Sequence, residues 1–349
     1  MPRKRQKSLR LHKHDAKQPT APAAAARSWF RNAQGALHRD LDAAGLRHAL
    51  AQREGLLWVD LHAESSEHRA LLSSVFGFHP LSIEDTTSRE GRVKVEEFPS
   101  YTLVVVRGVR FIAETEDLYD IETFNLWTFI GPNYVVTVHG PHAPGVEATV
   151  ERLGRDPALL ERGAGRLMHH ILDATVDAYF PIVDQLDEFV DGLEERVFVH
   201  FDQEALRDIF SVKRLVLTLR RHLAPMREVF NVLQSRGCAH LSADAQLYFR
   251  DVYDHVIRLN EHLDTYRDLL TSTLDSYLTQ ISNRMGLVTK GLTVVATLSV
   301  PFVVVSGMWG MNFARVPLAD APQGFWVMLA VQLGLGGGLL WLLRRNGWL

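Results

Sequence analysis

The segment Ser306-Gly307-Met308-Trp309-Gly310-Met311-Asn312-Phe313 closes a stretch, Gly291 to Ala314, that holds no charged residue. Asn312 brings an amide oxygen and two amide hydrogens to the end of that stretch. Gly310 lets backbone approach closely whatever the amide faces. By itself, an asparagine in such a place reads as a helix cap or an interfacial side chain. Two histidine pairs, His12 with His14 and His169 with His170, carry ring nitrogens suited to a transition metal. Scattered surface histidines are their ordinary explanation. Cys238 is the single cysteine, so no intrachain disulfide can form and an inert thiol is expected. The sequence has no phosphate-cradling P-loop or dinucleotide fingerprint. It also lacks a nucleophile–base or metal-ligand spacing of a catalytic kind. The chain does not read as an enzyme, and no cofactor is called for.

The elements that position these residues follow from charge and periodicity. The chain has 349 residues, of which 23% are charged, and a formal net charge of −3. That balance gives no reason to expect nucleic acid as a partner. Two runs, Gly291–Ala314 and Ala321–Leu343, have no charge at all. Each exceeds the roughly 20 residues a helix needs to cross about 30 Å of hydrocarbon. Two in tandem predict two membrane spans. Lys290 precedes the first, Arg344 and Arg345 follow the second, and the link holds only Arg315 and Asp320. The positive-inside rule therefore puts both termini in the cytoplasm and the short link outside.

Upstream, the basic and then Pro- and Ala-rich residues 1–26 read as a disordered tail. Residues 27–165 read as a cytoplasmic α/β domain. Leu56–Val59 and Tyr101–Val106 are expected strands, and Phe124–Ile130 with Tyr134–Val138 a hairpin closed by Gly131-Pro132-Asn133. Ser82–Glu97 is dense in charge and reads as loop or short helix. Residues 166–285 read as a helical stalk with three apolar stripes. These run from Leu167 to Val197, from Leu206 to Leu233 and from Val252 to Ile281. No Gly or Pro interrupts Gln246–Met285, so the last helix can run on into the first span over about 60 residues, or about 90 Å. The remaining parts are a first span at 286–313, a link at 314–322, a second span at 323–343 and a basic end at 344–349.

Gly310-Met311-Asn312 resembles the GMN signature of the CorA metal-ion transporter family, and Phe313 continues it as that family commonly does. The similarity extends back through Lys290, Leu292-Thr293, Ala296-Thr297, Pro301 and Gly307, and forward to Gly347-Trp348-Leu349. Tyr248 to His255 and His79-Pro80-Leu81 with Glu84-Asp85 also resemble family segments. The resemblance implies a funnel-shaped homopentamer in the cell's inner (cytoplasmic) membrane. It has an α+β cytoplasmic domain, a long helical stalk and two C-terminal transmembrane helices. It implies a divalent-cation channel taking up Mg²⁺, with Co²⁺ or Ni²⁺ as accompanying substrates, driven by the membrane potential. Mg²⁺ dehydrates reluctantly, so a ring of Asn312 amides and backbone carbonyls near Gly310 would bind its hydration water in a filter of Gly310, Met311 and Asn312.

Helical spacing back from that mouth selects Gly307, Val303, Val300, Ala296, Leu292 or Thr293, and Thr289. The family places its pore and hydrophobic gate on this face. Several magnesium-transporting relatives have Met where this chain has Thr289 and Val300, and Asn where it has Gly286, which leaves Leu292 as the best candidate for a constriction. The resemblance further implies regulatory divalent sites between subunits at Glu84, Asp85, Asp251 and Asp173. Mg²⁺ would then be both substrate and regulatory ligand, holding subunits closed when it is plentiful inside. Gly324-Phe325-Trp326, and a link without a Met-Pro-Glu segment, resemble the zinc-type ZntB branch, so Zn²⁺ is the alternative substrate. A membrane-anchored scaffold or signalling protein is the alternative from another class.

Overall fold

The computed structural model describes residues 26–88, 91–112, 121–199, 203–235, 238–311, 318 and 321–348. The expected tail up to residue 25, which includes His12 and His14, and Asn312, Phe313 and link residues 314–317, 319 and 320 lie outside the described residues. Two compact units emerge, one within residues 1–191 and 210–270, the other within 192–209 and 271–349.

The first unit is built on a seven-stranded sheet of β1 (Arg27–Asn32), β2 (Leu37–Arg39), β3 (Gly55–His62), β4 (Lys94–Glu97), β5 (Thr102–Phe111), β6 (Ile121–Ile130) and β7 (Tyr134–His139). The spatial order is β2-β1-β3-β7-β6-β5-β4. Among the described residues, only β3 and β7 pair in parallel. The expected hairpin is present as β6 and β7, where the Gly131 N–H donates to the Tyr134 carbonyl at 3.0 Å. Central strands are buried on both faces, which explains the unbroken apolar run Leu56-Leu57-Trp58-Val59 in β3. Within β3 the side chains alternate: Leu57, Val59 and Leu61 join a core with Phe78, Leu103, Phe129 and Val136, while Trp58 and Asp60 face the other way. The Asp60 carboxylate is buried and accepts from Thr137 at 2.6 Å and His139 at 2.9 Å. Burial alone would raise its pKa, but His139, Thr137 and Arg27 more than offset this and hold it below the usual carboxylate value.

The helices of this unit are α1 (Ala43–Ala51), α2 (Ser66–Ser74), α3 (Pro80–Asp85), α4 (Pro144–Arg155) and α5 (Ala164–Asp177). They are joined by α6 (Phe180–Val199), α7 (Gln203–Ser235) and α8 (Ala243–Trp309), of which this unit holds the parts up to 191, from 210 and up to 270. α3 begins in the local chemistry of His79-Pro80. The His79 ring nitrogen accepts from the Leu81 N–H, and Pro80 occupies a first-turn position where a missing N–H costs nothing. Three expectations need correction. Ser82–Glu97 contains a strand, β4, which pairs with β5 as the sheet's edge; an edge position tolerates its Lys-Val-Glu-Glu sequence. The stripe from Leu167 to Val197 is shared by two helices, because the chain turns at Ala178-Tyr179. There the buried Tyr179 hydroxyl donates to the Arg107 carbonyl, and Pro181 falls in the first turn of α6. His169 is no surface histidine: it is 7% exposed and lies against the rings of Tyr248 and Phe249.

Cys238 is also buried, and burial, together with the nearby Glu97, pushes its thiol up to about 11.

The second unit comprises the end of α6, the start of α7, α8 from Thr271 onward, and α9 (Gly324–Arg345). Arg196 pairs with Asp208 at 2.8 Å across the α6–α7 turn. α8 is continuous over 67 residues, about 100 Å at the standard rise, as its unbroken sequence predicts. Its C-terminal part and α9 are each long and apolar enough to cross a membrane. Almost none of either apolar stretch is buried, which distinguishes them from core helices of a soluble fold.

Candidate metal cluster and pore-helix face

Two i,i+4 pairs build a polar cluster in the first unit. Asp173 and Asp177 stand one turn apart on α5, and Asp251 and His255 one turn apart on α8, so each pair projects from one face of its helix. The His255 ring bridges them. Its Nδ1 is 3.9 Å from Asp173 Oδ1 and 3.6 Å from Asp177 Oδ1, and its Nε2 is 3.9 Å from Asp251 Oδ2. One ligand atom from each of Asp173, Asp251 and His255 lies within 4.8 Å of the others. A cation with bonds of about 2.1–2.4 Å spans ligands up to about twice that distance apart. Asp173 Oδ1 and His255 Nδ1 are buried without a hydrogen-bond partner, which suits a pocket whose last ligand is an ion. Burial, and then the neighbouring Asp177 charge, raise the Asp173 carboxyl to about 6, and His255 only partly opposes them. Asp177 is raised as well, by burial and by the Asp251 charge, with His255 opposing.

The expected regulatory residues therefore separate within one chain. Asp173 and Asp251 are brought together, while Glu84 and Asp85 are not part of that cluster among the described residues. Asp85 instead accepts from Lys94 Nζ at 2.6 Å, and the same lysine donates to Glu96 at 2.8 Å. Glu84 is exposed at the end of α3. The member that sequence reasoning missed is His255. Its signal was the Asp-x-x-x-His spacing from Asp251, which repeats the spacing of Asp173 and Asp177. His169 and His170 do not join the cluster; burial, with Arg152 and Arg166 near them, lowers both rings to about 4 and keeps them neutral.

In the second unit, α8 has two distinct sides. Val294 and Val305 are 7% and 9% exposed. Near them, α9 packs against α8 through Gln332 and Gly336, the latter facing the Phe302 ring. Thr289, Leu292, Thr293, Ala296, Val300, Val303 and Gly307 are all exposed. At 3.6 residues per turn they stand roughly 120–180° around the helix from Val305. Leu292 is 73% and Val303 70% exposed. The last described turn is pinned by the Gly310 N–H, which donates to the Ser306 carbonyl at 3.0 Å. At the other end of the pair, Lys290 Nζ donates to the Gly347 carbonyl at 2.9 Å.

A long helix running into an exposed apolar segment, with an apolar partner helix packed against it, has the make-up of a membrane-spanning pair. The family profile described as "CorA-like Mg2+ transporter protein" matches residues 53–345, and the chain belongs to this family. YfjQ of Bacillus subtilis (strain 168), named for metal ion transport, is 31% identical over 291 residues, covering 83% of this chain and 89% of YfjQ. The cobalt/magnesium transport protein CorA of Thermotoga maritima is 30% identical over 275 residues, covering 78% of each chain. The complete structure of the CorA magnesium transporter from Methanocaldococcus jannaschii superposes with a TM-score of 0.80 at 24% identity, covering 94% of this chain and 100% of that one. That structure shares the fold: an α/β domain, a long helix and two C-terminal apolar helices.

Proposed function

We propose that the chain forms a divalent-cation channel of the inner membrane, with Mg²⁺ as its principal substrate and Co²⁺ or Ni²⁺ as further substrates. The observation that carries this reading is the two-sided helix α8. One side packs against α9, and the other presents Thr289, Leu292, Thr293, Ala296, Val300, Val303 and Gly307, all exposed. In a closed ring of copies, five by the family resemblance, that side lines the pore, and Leu292 is its constriction. Gly310, Met311 and Asn312 form the mouth, whose amide and carbonyl oxygens hold the ion through its water. At −100 mV a divalent ion gains about twice the roughly 2.3 kcal/mol per charge on moving inward, so the potential suffices to drive uptake. Lys290, Arg344 and Arg345 support cytoplasmic termini.

In this reading, residues 27–165 and 166–285 form the cytoplasmic domain and stalk, and 286–313 and 323–343 the spans. Asp173 and Asp251, joined by His255, hold a regulatory cation, with Glu84 and Asp85 contributing across a subunit boundary. Binding to the closed arrangement then shuts off uptake when internal metal is high. The imidazole makes this cluster receptive to Co²⁺, Ni²⁺ or Zn²⁺ as well as Mg²⁺. This, with Gly324-Phe325-Trp326, keeps Zn²⁺ as the second reading of the substrate.

The test is metal entry into liposomes holding the full-length protein under an inside-negative potential, with Mg²⁺ and Zn²⁺ dyes read in parallel. Mg²⁺ entry that Asn312→Ala abolishes supports channel and mouth together. Zn²⁺ entry without Mg²⁺ moves the protein to zinc transport. An assembled oligomer passing neither metal overturns the channel in favour of a scaffold.

A further inference from the structure

We propose that Gln332 of α9 is a positioning residue for the pore mouth, bracing the end of α8 through Ser306; this rests on the channel reading above. Gln332 lies within a stretch that is otherwise almost wholly apolar and holds no charge, yet it is 5% exposed and turned toward α8. Its Nε2 donates to Ser306 Oγ at 2.7 Å and to the Phe302 carbonyl at 3.3 Å. In hydrocarbon a side-chain amide must be satisfied internally, so such a residue is retained where its bonds serve a purpose. One turn along α9, a Cβ on Gly336 would come within 3.0 Å of the Phe302 ring. Close approach without a side chain there seats the two helices at a fixed spacing. Gln332 and Gly336 thus grip Phe302 and Ser306, one turn against one turn.

The position of the grip matters. Pro301 has no N–H, so the Thr297 carbonyl loses its donor four residues on and α8 is weakest at that point. The brace falls immediately after the weak turn, and Ser306 then passes it to the mouth. Its hydroxyl is held by Gln332, while its carbonyl accepts from the Gly310 N–H. The rotation of the last turn, and with it the direction in which Gly310 and Met311 face, is set by the Gln332–Ser306 bond. A leucine at 332 fills similar space without fixing that rotation.

The experiment is the same liposome assay on full-length protein, reading both the Mg²⁺ entry rate and the ratio of Co²⁺ to Mg²⁺ entry. Gln332→Leu is expected to slow Mg²⁺ entry at least about threefold, the effect of losing one interhelical hydrogen bond, and to change the ion ratio. Ser306→Ala should change the ratio in the same direction, and the double variant should be no worse than Gln332→Leu alone. A wild-type rate and ratio in Gln332→Leu overturns the proposal. So does a slower rate with an unchanged ratio, which marks a merely structural loss. If Gln332→Leu fails to assemble, Ser306→Ala decides, and an unchanged ratio in it is fatal. Wild-type protein in parallel separates the two claims: no entry through it overturns the channel, whereas entry through it with unaltered variants overturns only the brace.

Discussion

Lys94 Nζ stands 2.6 Å from Asp85 Oδ2 and 2.8 Å from Glu96 Oε1, so a tethered ammonium occupies the carboxylate expected to meet a regulatory metal. Partial burial works against its charge, but the Asp85 and Glu96 carboxylates outweigh that and raise the lysine above its ordinary value. It is therefore a cation at any physiological pH. A divalent ion that binds Asp85 must displace it or share the oxygen.

Replacing Lys94 with methionine should let Asp85 take a metal more readily. Inhibition of uptake by internal Mg²⁺ is expected at several-fold lower concentration, measured by loading liposomes with graded Mg²⁺. The pair is partly exposed, so the change should cost less than about 1 kcal/mol of stability. Unchanged inhibition would mean that Asp85 takes no part in sensing.

The Asp173 cluster predicts a pH-dependent response to metal. Its carboxyl is raised to about 6 from 3.8, so without metal the folded state loses stability as pH climbs from about 4 through 6. Above that range the charged Asp173 faces Asp177 and Asp251, and a divalent cation relieves the repulsion. Thermal stabilisation by added Mg²⁺ or Co²⁺ should thus be larger at pH 7.5 than at pH 5. Asp173→Asn should remove the difference. Equal stabilisation at both pH values in the parent protein would exclude this cluster as the site.

Gly145 of α4 is a close-approach position. A Cβ there would meet Thr175 Oγ1 at 2.3 Å and the Thr175 backbone nitrogen at 2.7 Å. Thr175 lies two residues beyond Asp173 on α5, and its hydroxyl is already committed to the Ile171 carbonyl. Gly145→Ala should destabilise the protein by about 1–3 kcal/mol, the usual range for overpacking. Calorimetric unfolding would show this as a lowered transition temperature, and an unchanged temperature would mean that α4 and α5 can part without cost.

The helices and apolar spans were legible because periodicity and absence of charge persist over many residues: α8 has no glycine or proline from Gln246 to Met285, and its unbroken length followed. The hairpin β6–β7 was legible from Gly131-Pro132-Asn133. Less visible were the edge strand Lys94–Glu97, whose single apolar residue makes no pattern, and the strands Arg27–Asn32 and Leu37–Arg39, which take their identity from pairing with distant partners. The candidate metal cluster was half legible. Asp173 and Asp251 came from resemblance, whereas the four-residue spacings that offer Asp177 and His255 gain meaning only once α5 and α8 are seen side by side. Gln332 carries no local signal at all, since a lone glutamine in an apolar run shows its purpose only when its partner is known.

The buried Cys238 makes the natural protein its own background for chemical labelling. Its thiol is covered and held at about 11, so reagents that attack thiolates should pass it by near neutral pH. Cysteines placed singly along α8 would then report their own surroundings. At Leu292, Ala296, Val300 and Val303 a small charged methanethiosulfonate should react quickly, because a wet channel lets the thiol ionise. At Val294 and Val305, turned toward α9, it should react slowly. Equal rates around the helix would mean that no water column runs along this face.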